Sequence, residues 1–192
     1  MPYILSPLIT ESLEGLWLEG SPYQKENLYQ IAPGKLPPVN YDAHTLKPHS
    51  LTHVESAAHT QASGATVDTF FKRPEFFYGP ANVVKLSGDH YTLIDEEKNI
   101  FHWEVSLDQL KEALNRNHIN PEQLSKLLLT SQSYPINPHG FHDPNHVLTL
   151  SLEAAIYLVE LPAFHLYGTS WKSSDFKPGS SERPIHNKLF EK

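Results

Sequence analysis

Sixteen prolines against nine glycines constrain this chain of 192 residues more than any other feature. Each proline locks its own φ and removes a backbone donor, so rigid turns and extended segments must interrupt the regular structure. Residues 1–48 are proline-rich and weakly periodic, with short strand-like pieces at 3–5 and 16–18 and a long loop around APGKLPPVN. ANVVKL at 81–86 reads as a buried strand followed by a turn at SGDH, and YTLIDEEKNIFHWEV as a strand pair joined through polar residues 95–99. Leu107, Leu110, Lys111 and Leu114 keep the three-and-four spacing of an amphipathic helix that starts at Ser106 and ends within 115–120. Pro121 to Gln123 opens a short turn, and residues 126–129 read as a buried strand. Ser151 caps a predicted helix over 152–161, 164–167 reads as a strand, and 168–184 as an exposed segment. Strands mixed with two helices predict an α/β or α+β fold, of which α/β is the one carried forward, and with no internal repeat or linker the expectation is a single domain over residues 1–192.

A hydrophobic share of 39% with 19% charged residues is the composition of a globular domain large enough for a real core. The net charge of −7, with no basic run, argues against a nucleic-acid partner. The opening MPYILSPLITESLEG has no basic region ahead of a long apolar run, and no stretch of about 18 apolar residues exists, so neither secretion nor a membrane span is expected. There is no cysteine, which removes disulfides, thiolate metal sites and cysteine nucleophiles and is compatible with the cytoplasm. Twelve histidines stand beside only 15 lysines and arginines, so imidazole carries an unusual share of the polar chemistry.

The histidines concentrate in HSLTHVESAAH at 49–59, which places His49, His53, Glu55 and His59 four, two and four residues apart. A helix would put Glu55 on a different side from His49 and His53. A strand would put all four on one face but spread them over roughly 33 Å. Only a bent segment gathers them, and Pro48, Ser56, Ala57 and Ala58 permit bending. Two imidazoles and a carboxylate around one divalent ion, with a coordination position left open, is a catalytic arrangement. His59 would then be placed to pass a proton to a departing nitrogen. On spacing alone, surface histidines in a polar loop remain the more economical reading.

The same stretch resembles the HxGTHxDxPxH signature of the cyclase-like metal-dependent hydrolases, a group that includes bacterial kynurenine formamidase (arylformamidase) and isatin hydrolase. ILSPLIT is similar to the family's opening strand, ASGATVDTFF and GPANVVKL to the region after the motif, LSLEAAIYL to a helix, and GTSWKSSD to the segment after that helix. The resemblance implies a swivelling β/β/α domain with a mixed sheet and few helices, assembled as a dimer or tetramer. It implies a metal held by His49, His53 and Glu55, a second-metal role for His186 in RPIHNKLF, and His59 as the catalytic histidine. Zinc is the first ion expected and manganese the second. The implied activity is hydrolysis of a small amide or lactam, as in the formamidase step of tryptophan catabolism, with a small molecule as the only partner besides further copies of the chain. Several positions depart from the pattern. Leu51 replaces a glycine, Ala57 a proline, Glu55 an aspartate, and Ser170 an aspartate. The family's glutamate beyond His186 has no counterpart before Lys192, and Glu191 is only five positions on, so either the C-terminal end is missing or the second site is incomplete. These departures support an alternative: an inactive relative that binds a small molecule or a partner.

Other features have plainer readings. PHGFHDPNH, with His139, His142, His146 and Asp143, is expected to be a solvated loop rather than a second metal site. Phe70, Phe71, Phe76, Phe77 and Tyr78 are expected in core or interface rather than in a substrate pocket. Trp17 and Trp171 are open between pocket and core, and Ser50 and Ser173 lack the elbow that serine hydrolases need.

Overall fold

Where apolar residues run without a break, as in LLL at 127–129 and VL at 147–148, both faces of a strand must be covered, which is the signature of a parallel strand. The computed structural model of the chain describes residues 8–17, 20–133, 135–136, 143–176 and 181–192. It is a mixed α/β structure whose backbone divides into two compact units, Met1–Val54 and Glu55–Lys192.

In the first unit, β1 (Tyr23–Tyr29) pairs antiparallel with β2 (Tyr41–Leu46), Tyr23 opposite Leu46 and Asn27 opposite Asp42, with an irregularity before Tyr29. Cross-strand side chains hold the ribbon. The Tyr23 hydroxyl lies 2.8 Å from His44 Nδ1, Lys25 pairs with Asp42 at 2.9 Å, and Tyr29 stacks on Tyr41. The weak periodicity of residues 1–48 does not single out either strand. Both faces of the ribbon are largely open to solvent, so there is no alternation of apolar and polar residues to read. The strand-like piece proposed at 3–5, and Leu18 of the piece at 16–18, lie outside the described residues.

The second unit holds the core. One sheet is parallel, in the order β3 (Asn82–Leu86), β6 (Lys126–Ser131), β8 (Leu166–Thr169). The other runs β4 (Thr92–Asp95), β5 (Ile100–Val105), β7 (His146–Leu150), with β4 antiparallel and β7 parallel to β5. Val84, Leu86, Leu127, Leu129, Trp103, Val105, Leu148 and Leu150 turn inward from the two sheets. Helix α1 (Leu107–Arg116) meets them with Leu110, Ala113 and Leu114. Its start is fixed by a capping box: the Ser106 hydroxyl accepts the Gln109 amide at 3.2 Å, and the Gln109 side chain accepts the Ser106 amide at 3.0 Å. Helix α2 (Leu152–Glu160) begins at Ser151, whose hydroxyl accepts the Ala154 amide, and buries Ala154, Ala155 and Leu158.

A third helix, α3 (Pro184–Leu189), was not expected from the sequence. Six residues are too few to show a period, and Arg183 at its start offers no side-chain cap. In the expected exposed segment 168–184, the described residues 168–176 are largely buried or half-buried: Trp171 belongs to the core and Asp175 is buried beside it in the chain. Among the described residues no helix is long and apolar enough to cross a membrane.

Candidate metal and proton-transfer site

The histidine stretch does bend, and it bends where the sequence permits. Pro48 opens a 3-10 turn over Pro48–Ser50, and a second such turn covers Ala57–His59. Leu51, which stands where the family pattern has glycine, takes φ −121° and ψ 168°, ordinary extended backbone that any residue adopts. The substitution therefore carries no conformational cost here.

Within the first unit, His49 and His53 lie edge to face with ring centroids 5.2 Å apart. His53 Nδ1 sits 2.7 Å from the Leu51 carbonyl and donates to it, so in the neutral ring the lone pair is on Nε2, the form a metal ligand needs. The backbone of this turn is tied down by two bonds. Trp17 Nε1 donates to the His49 carbonyl at 3.3 Å, and the Leu16 amide donates to the Ser50 hydroxyl at 2.8 Å. Trp17 thus braces the chain that carries His49.

Within the second unit, a chain of charged groups runs through Glu55. His59 Nε2 stands 3.3 Å from Glu55 Oε1, and His186 Nε2 stands 3.4 Å from Glu55 Oε2, so one carboxylate faces two imidazoles. The two rings are 5.7 Å apart by centroid. His186 is fixed from behind. Its Nδ1 is 2.6 Å from Asp175 Oδ2, and the Asp175 carboxylate also accepts the backbone amides of Ile185 and His186, each at 2.9 Å. The Thr60 hydroxyl donates to Asn187 Oδ1 at 2.9 Å, linking the turn that carries His59 to the helix that carries His186.

Burial sets the electrostatics of this group. Desolvation alone would push the His186 pKa down, but hydrogen bonds and attraction from Asp175 and Glu55 outweigh it and hold the ring at about 9. For Asp175, burial works upward, and the bonds from His186 and Ile185 overcome it to keep the carboxyl below its ordinary value. In the ion-free protein, His186 is therefore a cation held between two carboxylates.

A glycine shapes the loop behind His59. The Ala58 amide donates to the Ala65 carbonyl at 3.0 Å, and Gly64 packs so closely that a Cβ there would lie 2.4 Å from the Ala57 carbonyl carbon. This close approach arises only when the loop folds back.

Asp175 is the functional-type residue that the sequence reading did not single out. It stands at the end of GTSWKSSD, 11 residues before His186, and only the folded chain brings the two together. Ser170 instead bonds the Thr130 hydroxyl at 3.1 Å. Glu191 pairs with Lys188 at 2.6 Å on the exposed end of α3.

The remaining candidates take structural roles. His146 pairs with Asp143 at 2.9 Å and stacks on Phe101 with centroids 4.6 Å apart; His139 and His142 lie outside the described residues. The aromatic run is not core as expected: Phe70, Phe76 and Phe77 are half-buried, with Phe70 on Phe76 and Arg73 over Phe76, and Phe71 and Tyr78 are exposed, because short 3-10 turns carry the run across the surface. Trp171 is core. Ser50 and Ser173 are spent on backbone hydrogen bonds.

No protein-family model and no curated protein matches the chain. Among solved structures, the chain is similar to isatin hydrolase A from Ralstonia solanacearum at 17% identity and a TM-score of 0.59, over 97% of this chain and 73% of that one. It is also similar to isatin hydrolase A from Labrenzia aggregata bound to benzyl benzoate, at 13% identity and a TM-score of 0.62, over 97% and 74%. At these identities the likeness is one of fold: the three small sheets and few helices described above are arranged as in an isatin-hydrolase-like α/β fold.

Proposed function

We propose that this chain is a metal-dependent hydrolase of the cyclase-like family, cleaving the C–N bond of a small amide or lactam. The observation that carries the reading is Glu55 facing the Nε2 atoms of both His59 and His186, in a fold shared with isatin hydrolases. The donor chemistry fits a divalent ion. His49, His53, Glu55 and His186 carry only nitrogen and oxygen donors, the chemistry a divalent ion accepts, and Asp175 engages Nδ1 of His186 so that Nε2 is the nitrogen turned toward Glu55. In this reading His49, His53, Glu55 and His186 are the ligands, with Glu55 shared. Zinc is the first ion to test and manganese the second. A divalent ion bound there supplies a polarised substrate carbonyl and a water acidic enough to attack it near neutral pH.

The residues of the chain do the rest. His59 stands exposed at the end of its turn with Glu55 beside it, so it can take a proton from the attacking water and hand it to the departing nitrogen. Glu55 keeps the imidazole oriented and balances its charge when protonated. The substrate class is an aryl formamide such as N-formylkynurenine or a lactam such as isatin. The first is suggested by the motif, the second by the names of the structural neighbours. We read the chain as one swivelling β/β/α hydrolase domain working in the cytoplasm as a dimer or tetramer, which light scattering of the purified protein would test.

The decisive experiment is metal analysis of the purified protein, with turnover of both substrates before and after chelation. A bound divalent ion and chelator-sensitive release of formate or ring-opened product are expected. A protein that takes up no metal and turns over neither substrate would overturn the proposal and leave the binding-protein alternative in its place.

A further inference from the structure

Three hydrogen bonds converge on the Asp175 carboxylate, and their donors are unambiguous. Two are backbone amides, those of Ile185 and His186. The third partner is His186 Nδ1 at 2.6 Å. Carboxylates face both ring nitrogens, and the 2.6 Å contact of Nδ1 with Asp175 is much shorter than the 3.4 Å contact of Nε2 with Glu55, so when the ring is neutral the proton belongs on Nδ1 and the lone pair on Nε2. The carboxylate itself is held in place from its own backbone: the Ser173 hydroxyl donates to the Asp175 carbonyl at 2.6 Å and accepts the Asp175 amide at 3.2 Å. Asp175 and His186 are both almost fully buried, so no solvent competes for these bonds.

We propose that Asp175 is the positioning residue of the candidate site: one carboxylate both fixes the tautomer of His186, with its Nε2 lone pair toward Glu55, and clamps the first turn of α3 that carries the ring. Arg183, at the start of α3, provides no cap, and the two amides nearest Asp175 would otherwise be buried donors without a local acceptor. The helix is thus built from the same group that orients the imidazole. A shift of the 168–176 segment would move ring and helix together. This rests on His186 being a ligand only for its consequence in metal affinity; the tautomer itself is a property of the chain alone.

The test separates the two. Long-range 15N–1H spectra of the His186 ring in the metal-free protein at about pH 10, where the ring is neutral, read the tautomer directly. Zinc competition titrations read affinity. The wild-type ring is expected to carry its proton on Nδ1. Asp175→Ala should shift the ring to the Nε2–H form or to a mixture, and zinc affinity should fall about 10- to 100-fold. Ser173→Ala, which leaves the carboxylate in place, should keep the Nδ1–H form. Asp175→Glu, with a carboxylate still in reach, should restore much of the preference. If Asp175→Ala does not fold, Asp175→Asn decides, since it keeps the shape but only one accepting atom; it must lose either the fixed tautomer or a backbone bond of α3 seen as faster amide exchange at 185–186. An unchanged Nδ1–H tautomer in a folded Asp175→Ala protein, or no loss in either readout for Asp175→Asn, overturns the inference. A wild-type protein that binds no zinc but shows the expected tautomer change sinks the hydrolase reading and leaves this one standing.

Discussion

His59 and His186 flank the same carboxylate but live in different surroundings, and the roles proposed for them rest on that difference. His186 is buried and locked from behind by Asp175, while His59 is exposed at the end of a short turn. A group that must exchange protons with a substrate needs access; a group that must hold a position needs the lock. Replacing His59 with alanine should therefore lower kcat by about two to four orders of magnitude while leaving metal content unchanged, measured by steady-state kinetics beside metal analysis. Equal loss of metal would make His59 a ligand instead. A second histidine gives a pH dependence that is independent of the site. Burial lowers the His102 pKa, and its Nε2 is 2.8 Å from the Thr149 hydroxyl. The folded state thus resists a proton that the unfolded chain takes up at the ordinary value near 6.5. The stabilisation is complete above that pH and is lost as the pH falls toward the lower folded value. Thermal melts of the wild type should drop between pH 7 and pH 5 more steeply than those of His102→Gln, which cannot titrate. Parallel curves would show that another group governs acid sensitivity.

Elements position these residues through contacts that the sequence reveals unevenly. The helix at Ser106 and the strands at 82–86 and 126–131 were legible because buried faces impose a period and caps impose a residue type, whereas the strand at 146–150, directly after a polar loop, was not singled out. Strands β1 and β2 were not legible, because a ribbon open on both faces needs no alternation. Helix α3 was hidden for another reason: its cap comes from Asp175, ten residues before Ile185, rather than from the residue at its start. At the candidate site, the local motif showed His49, His53, Glu55 and His59 as a group, and the resemblance supplied His186. Asp175 could be found only after folding, because its role lies in a contact across 11 residues. Gly64 belongs to the same hidden class. A Cβ there would meet backbone atoms of Ala57 and Ala58 at 2.4 to 2.6 Å, and backbone cannot swing aside as a side chain can. Gly64→Ala should displace the turn that carries His59 and cost about 1 to 3 kcal/mol in urea unfolding. Turnover should fall more than stability, because catalytic geometry tolerates less displacement than folding does. A variant with wild-type activity would show that the loop has slack that this packing does not reveal.

Across the whole molecule, stability is unevenly distributed. Among the described residues of the first unit only Leu13 and Pro22 are buried, whereas the second unit buries Leu110, Leu114, Leu124, Leu127, Leu129, Leu148, Leu150 and Leu158. Leu158→Ala, deep in α2, should cost about 2 to 5 kcal/mol, since removing those methyl groups leaves a cavity between α2 and its neighbours. Among its described residues the first unit buries one large apolar side chain, Leu13. Its ribbon rests on backbone bonds and exposed pairs such as Lys25–Asp42, which contribute little in water. Local opening should therefore be far easier there than in the sheets of the second unit. In amide hydrogen exchange at low protein concentration, residues 23–29 and 41–46 should exchange well before 126–131 and 146–150. The proposed assembly makes a sharper claim: raising the concentration should slow exchange in β1 and β2 if a neighbouring copy covers their exposed Leu28, Tyr29, Tyr41 and Leu46 side chains. Protection of β1 and β2 equal to that of β6 at every concentration would show that the ribbon is held by something other than its own two strands.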